Sequence, residues 1–339
     1  MNQSELTAYI KRVAQSLDFD YVGIAKAEPV EETYAQQFEE WIATGKHGEM
    51  KYLENNLDKR LNPCLLVPEC KSILCVAINY APIEKIPASS YQLSYYAYGQ
   101  DYHEVIKQKL FSLLTNVIER YVQETVSEDL LEESKDNLLQ TILDNCKVCV
   151  DTVPILERYW AQRAGIGWIG KSGQLIIPQS GTYFFLGEIL LPFTLDYDSP
   201  ALNRCGNCSN CITACPTQAL AKDTIMDCRK CLSYLTIEYR GEQLIDPTSK
   251  DILPISQAMN NNIYGCDICS QVCPWNRFEQ PTKIKAFRPR PELLAMTKQD
   301  WKTLTVKKYQ QLFKGSAVKR AKYSGLIRNI KTVSMKEKE

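Results

Sequence analysis

CGNCSNCITACP, residues 205–216, and CDICSQVCP, residues 266–274, decide how this chain folds. The first run is spaced C-x2-C-x2-C-x3-C-P and the second C-x2-C-x3-C-P. The first spacing is that of bacterial ferredoxins, in which three thiolates hold one 4Fe-4S cube and the fourth, before proline, holds the other. Cys205, Cys208 and Cys211 therefore need a fourth ligand from the second run, and Cys273, also followed by proline, is the natural one. Cys215 then joins Cys266 and Cys269, leaving one ligand to find. Cys228 and Cys231 lie between the runs, and either could fill it. Paired zinc sites are the alternative, but zinc knuckles lack a three-plus-one run before proline, and no histidine lies nearby.

At 339 residues the chain is too long for a bare two-cluster module, which takes roughly 80 residues. What precedes the cysteines is long enough to be a domain that uses electrons. The opening residues MNQSELTAYIKRVAQSL have no apolar core run and no small-residue cleavage site, so a cytoplasmic protein with reduced thiols is expected. No run of 18 apolar residues occurs, so no membrane span is expected.

The net charge of zero hides an asymmetry. Residues 283–339 hold 16 Lys or Arg against 4 Asp or Glu, so this tail is +12 and the rest is −12. A concentrated basic face suits a polyanion, nucleic acid above all, although a solvated lysine-rich helix carries the same charge. Within it, KGSAVKRAKYSGLIRNI sets Lys314, Lys319, Arg320, Lys322 and Arg328 beside Val318, Leu326 and Ile330, a basic amphipathic helix whose apolar stripe should pack on the body.

In chain order, residues 4–17 have helical apolar spacing, residues 21–27 read as a strand, residues 45–57 as a helix after the glycines, and residues 71–80 as a buried strand stopped by Pro82. YYAYGQDYH, residues 95–103, is too polar and aromatic to be plain core, and a long helical pattern follows it to about residue 140, with an acidic face or loop over residues 124–136. Residues 147–150 form a strand that delivers Asp151, ahead of Pro154 and a helix through Arg163. In parallel-sheet α/β folds ligands gather at strand carboxyl ends, which makes Asp151 a candidate catalytic carboxylate, while an N-cap aspartate is the plainer reading. AGIGWIGKSG, residues 164–173, lets backbone approach a ligand and offers Lys171 to an anion; equally it enters a hairpin in which residues 174–178 pair with 182–190. Cys146 and Cys149, an odd separation on a strand, should face opposite sides, and Cys64, Cys70 and Cys75 read as small core hydrophobes.

HGEMKYL with Arg60, GQDYH, VDTVPILERYWAQRAGIGWIGK, YFFLGEILL, CGNCSNCITACPTQAL, CLSYLTIE, NNIYGCDICSQVCPWN and GSAVKRAKYSGLIRN occur in this order. Together they resemble the epoxyqueuosine reductase family, cobalamin-dependent iron-sulfur enzymes that complete queuosine in tRNA. The resemblance covers about residues 45–330. It implies an α+β or α/β fold of three parts: a nitroreductase-like, cobalamin-processing-like domain over residues 1–195, a bacterial ferredoxin-like domain with two 4Fe-4S clusters over residues 196–282, and a basic helical segment over residues 283–339 that holds tRNA.

The same resemblance selects Cys231 over Cys228 as the last cluster ligand and Asp151 as the proton donor. It implies base-off cobalamin in contact with Arg60, Tyr102, His103, Asp151, Lys171, Ser233 and Asp267. The D-x-H-x-x-G element that puts histidine under cobalt is not met, because residue 106 is Ile. Co(I) cobalamin, a two-electron nucleophile, would be fed one electron at a time through the clusters from an external donor of flavodoxin or ferredoxin type. Arg240, Lys314, Lys319, Arg320, Lys322 and Arg328 would hold the anticodon stem-loop of a GUN tRNA, with the enzyme a monomer. A carboxyl near its ordinary value is ionised at neutral pH, so Asp151 is expected to be buried, with a raised pKa. A cobalamin-dependent reductive dehalogenase is the nearest rival, but it usually carries a twin-arginine signal and has no use for a +12 tail.

Overall fold

KSILCVAINY becomes the second strand of a four-stranded sheet because every second side chain faces a different helical layer. The computed structural model describes residues 2–125, 132–222, 225–244 and 255–335. The sheet consists of β1 (Tyr21–Lys26), β2 (Ser72–Asn79), β3 (Lys147–Cys149) and β4 (Phe184–Leu191), in the order β1-β2-β4-β3. All three pairings are antiparallel, so the parallel-sheet rule does not locate Asp151. Instead β3 ends at Cys149 and the chain turns out of the sheet two residues later.

Leu74, Val76 and Ile78 point into one core with α1 (Gln3–Ser16) and α2 (Tyr102–Thr125), contributed by Ile10, Leu110 and Leu113 among others. Ile73, Cys75 and Ala77 point into a second core with Tyr159, Trp160 and Ala161 of α3 (Glu157–Arg163). This two-residue alternation explains why the strand is apolar throughout. It also separates Cys146, in the first core, from Cys149, in the second, as their spacing predicts.

A third core crosses the whole chain. It joins Trp41, Tyr91 and Tyr183 to Leu235 of α4 (Leu232–Ile237), to Tyr264, and to Trp301, Leu326 and Ile330 near the C-terminus. The last two belong to α5 (Lys322–Met335), so the basic segment is packed into the body through its apolar stripe. A short parallel pairing of Gln92–Leu93 with Asn262–Tyr264 ties the sheet-bearing part to the second cysteine run.

Three local expectations change. Residues 45–57 do not form one helix: a 3-10 turn at Lys51–Leu53 and a short helix at Leu57–Leu61 are divided by Asn56, at φ +53°. The glycine-rich stretch is itself the hairpin, Trp168–Ile169 pairing with Leu175–Ile176, while β4 pairs with β2 and β3 instead. A helix over Glu32–Ala43 lies where the sequence reading placed none. Of the acidic stretch 124–136, residues 126–131 lie outside the described residues. Among the described residues no helix is long and apolar enough to cross a membrane.

Candidate active site

Tyr102 and His103 open α2, and Asp151 lies on the loop after β3; the sheet brings them together. Tyr102 stacks on Phe185 of β4, with ring centroids 4.4 Å apart and planes 9° from parallel. This fixes its hydroxyl, which donates to Asp151 Oδ2 at 2.7 Å. His103 Nε2 donates to the same oxygen at 3.1 Å, and His103 Nδ1 to Asp101 Oδ1 at 2.7 Å. Leu156, not Asp151, holds the N-cap position of α3, so the cap reading is set aside. The loop is pinned from behind: Glu157 Oε1 accepts the Asp151 N–H at 2.5 Å, with Asp151 at φ +52°, a conformation that few non-glycine residues adopt.

The expectation of a buried Asp151 with a raised pKa is overturned. Its side chain is 57% exposed, and the hydrogen bond from His103 holds the carboxyl below its ordinary value, Tyr102 adding to the effect against desolvation. For His103, burial opposes the charge, but hydrogen bonds to Asp101 and Asp151 outweigh it and lift the imidazole to about 9. At neutral pH the site's mobile proton therefore sits on His103, between two carboxylates.

Arg60 borders the same space. It is 8% exposed, its Nη2 donates to Tyr52 O at 3.4 Å, its Nε has no hydrogen-bond partner among the described residues, and it senses the charges of Tyr52, Asp151 and Glu157. A buried guanidinium with an open N–H is costly unless a ligand oxygen completes it.

The cysteines assemble from two directions. Cys205, Cys208, Cys211 and Cys273 line one cavity of about 220 Å³, which Cys269 also borders. Burial raises Cys273 first, and the nearby Cys205, Cys211 and Cys208 add to it. Burial likewise raises Cys266 and Cys269, with Cys231 a neighbour of both and Cys215 a neighbour of Cys269 and Cys231. Cys231 precedes α4 and receives the backbone N–H groups of Ser233 and Tyr234, whereas Cys228 is buried in the third core.

The other residues expected at the cofactor divide. Ser233 meets Cys231 through its backbone. Asp267 turns away to accept the Tyr95 N–H at 2.7 Å, and burial lifts its carboxyl to about 6. Lys171 is not brought to Asp151: its Nζ donates to Gly206 O at 2.7 Å and Cys208 O at 3.0 Å, clasping the first cysteine loop.

Residues 60–152 match the family model described as "Epoxyqueuosine reductase QueG, DUF1730", and residues 204–276 match "4Fe-4S double cluster binding domain". The epoxyqueuosine reductase of Cellulophaga algicola is 40% identical over 321 residues, 95% of each chain. The chain belongs to the epoxyqueuosine reductase family. A selenomethionine-labelled epoxyqueuosine reductase has the same fold, with a TM-score of 0.81 over 98% of this chain and 82% of that one at 24% identity. So has an epoxyqueuosine reductase solved with an epoxyqueuosine-modified tRNA-Tyr stem loop, with a TM-score of 0.79 over the same shares at 23% identity.

The basic residues of this epoxyqueuosine reductase are not equivalent. Lys314, Lys319 and Lys322 are exposed. Arg320 is half exposed, forms an ion pair with Glu238 at 2.7 Å and lies over the Tyr52 ring. Arg240 donates to the carbonyls of Ile237 and Arg320. Arg328 corrects its sequence assignment: its Nε, Nη1 and Nη2 donate to Leu235 O, Tyr239 O, Gly241 O and Asn329 Oδ1, which commits its whole fork to the fold. Four residues that were not singled out from sequence also lie near Asp151 and His103: Tyr52, Asp101, Glu157 and Glu188. For Glu188 a signal existed, a lone acid inside the apolar run YFFLGEILL.

Proposed function

We propose that this reductase converts epoxyqueuosine to queuosine at the wobble position of GUN-anticodon tRNAs, using base-off cobalamin and two 4Fe-4S clusters, with Asp151 as proton donor. The observation that carries this reading is the convergence of Tyr102 and His103 on one Asp151 oxygen near the buried Arg60, whose Nε has no partner among the described residues. The residues fit the absent groups. Cys205, Cys208, Cys211 and Cys273 would hold one cluster, and Cys215, Cys231, Cys266 and Cys269 the other. Arg60, Tyr102, His103 and Ser233 would contact bound cobalamin, Arg60 through its open N–H, and Asp267 would contribute through its backbone. Bound cobalamin would supply a strong two-electron nucleophile, with the clusters as its one-electron relay.

The chain's own part is to hold and move protons. An epoxide oxygen leaves poorly as an alkoxide, so a general acid must protonate it. The Asp151 side chain is exposed, and the His103 N–H aimed at Oδ2 supplies the proton that the carboxyl passes on. Tyr102 fixes the carboxyl's direction, and Asp101 keeps His103 charged.

The exposed Lys314, Lys319 and Lys322, with Arg320 and Arg240 around Tyr52, would receive the phosphates of the stem-loop. Tyr52 and Arg320 both sense the charge of Asp151, so this basic face adjoins the proposed site. At the other end, Lys171, Arg204 and Arg277 line the cavity of the first cysteine set, a basic rim suited to an acidic donor of flavodoxin or ferredoxin type. The enzyme would act as a cytoplasmic monomer. Adding cobalamin to the anaerobically reconstituted protein tests the cofactor reading: a corrin spectrum without axial base and two clusters' worth of iron support it, and protein that binds no corrin overturns it.

A further inference from the structure

The hairpin in which Trp168–Ile169 pairs with Leu175–Ile176 is laid against the first cysteine run. Asn203 Nδ2 donates to Ile169 O at 3.3 Å, while its Oδ1 accepts the Cys205 N–H at 2.9 Å. Lys171, at the hairpin turn, holds Gly206 O and Cys208 O from its Nζ. Trp168 Nε1 donates to Cys205 Sγ at 3.5 Å. A Cβ at Gly170 would fall 2.5 Å from Ile176 Cδ1 and 3.5 Å from Cys205 Sγ, so the glycine lets the hairpin close up against that sulfur. Trp168 is 0% exposed, and its ring meets that of Trp275, two residues after Cys273, edge to face at 4.9 Å. A buried indole N–H needs an acceptor, and a thiol sulfur is a weak one. Trp41, by comparison, gives its N–H to a carbonyl, Met226 O, at 2.8 Å. A sulfur that carries the negative charge of a thiolate is a much stronger acceptor, which suits Trp168 to a cysteine that ligates iron.

We propose that this hairpin sets the reduction potential of the first cluster: the Trp168 N–H, bonded to Cys205 Sγ, and the Lys171 ammonium, clasped over the same loop, raise it. The inference rests on the reading of Cys205, Cys208, Cys211 and Cys273 as that cluster's ligands. Taking up one electron adds one negative charge to the ligand set. An N–H aimed at a ligand sulfur and a cation on the ligand loop both stabilise the added charge, so both favour the reduced form. The two contributions differ in their surroundings. Trp168 is buried, whereas Lys171 is exposed and lines a cavity with Arg204 and Arg277. Salt therefore screens the lysine's contribution and leaves the tryptophan's in place. Both residues act on the electron relay, and neither is a catalytic residue.

Anaerobic redox titration of the full-length, reconstituted protein, followed by electron paramagnetic resonance, reads the two clusters separately. Trp168→Phe keeps a ring and removes the N–H. It should weaken reduction of one cluster about tenfold, which is about 59 mV for one electron, and leave the other potential and the iron content unchanged. Lys171→Gln should lower the same potential by a smaller step that vanishes at high salt. With indole nitrogen-15 tryptophan, the reduced wild type should show a nitrogen coupling that Trp168→Phe loses and Trp275→Phe retains. A Trp168→Phe protein in which both potentials are unmoved, or both move together, overturns the proposal. Should Trp168→Phe fail to fold, the coupling retained in Trp275→Phe and the potential of Lys171→Gln still decide, and absence of both effects overturns it. The two readings fail differently: wild-type protein that takes up about four iron atoms rather than about eight sinks the ligand reading, whereas unmoved potentials in protein with about eight sink only the tuning.

Discussion

Asp151 Oδ2 lies 3.1 Å from His103 Nε2, and each group sets the charge of the other. The carboxylate keeps the imidazole protonated, and the imidazolium keeps the carboxyl ionised. In the proposed reaction the acid catalyst would be a histidine proton relayed through an aspartate, rather than an aspartate kept protonated by burial.

A pH-dependent stability follows. His103 is raised from 6.5 to about 9 in the fold, so its contribution is complete below pH 6.5 and is lost as pH rises through 9. Thermal unfolding of His103→Asn should show a deficit of about 1–2 kcal/mol at pH 6, shrinking toward zero by pH 10. A deficit independent of pH would contradict the charged imidazole.

Replacing Asp151 by Asn removes one of the two carboxylates that hold His103 charged. The histidine should then titrate nearer its ordinary value by NMR, while turnover falls by about 10²- to 10⁴-fold and the iron content stays unchanged.

Cys231 and Cys228 are three residues apart and adjoin the same apolar core, but Cys231 neighbours Cys266 and Cys269 while Cys228 is buried within the core. Cys231→Ser should halve the iron of reconstituted protein, from about eight to about four atoms per chain. Cys228→Ser should leave iron unchanged. The reverse result would exchange their roles.

The basic residues should separate in a salt titration of stem-loop binding. Lys314→Ala, Lys319→Ala and Lys322→Ala should each lower the slope of log affinity against log salt by up to about 1. Arg328→Ala should instead destabilise the fold by about 2–4 kcal/mol, since it strips hydrogen bonds from four acceptors.

The approach of Cys205, Cys208, Cys211 and Cys273 to one cavity was legible in the sequence because their spacing pairs the two runs, whereas spacing left Cys228 and Cys231 open; the strands were legible because burial on two faces demands an apolar run. Asp151 was legible as a place and not as a state. Its exposure and its two donors come from α2, some 50 residues away, which no local pattern reports. Lys171 misled for the same reason: glycines around a lysine suggest a ligand loop, but here the loop clasps a cysteine turn that begins 34 residues later. Charge alone could not distinguish Arg328, wholly bonded inside the fold, from the exposed Lys322 six residues before it.

The most direct measurement is the mass of the modified nucleoside after anaerobic incubation of the reconstituted protein, cobalamin and a reductant with an epoxyqueuosine-containing anticodon stem-loop. The expected product has lost one oxygen atom, in an amount that requires both cobalamin and an intact Asp151. An unchanged nucleoside with the fully loaded protein, or equal conversion by Asp151→Asn, would contradict the account.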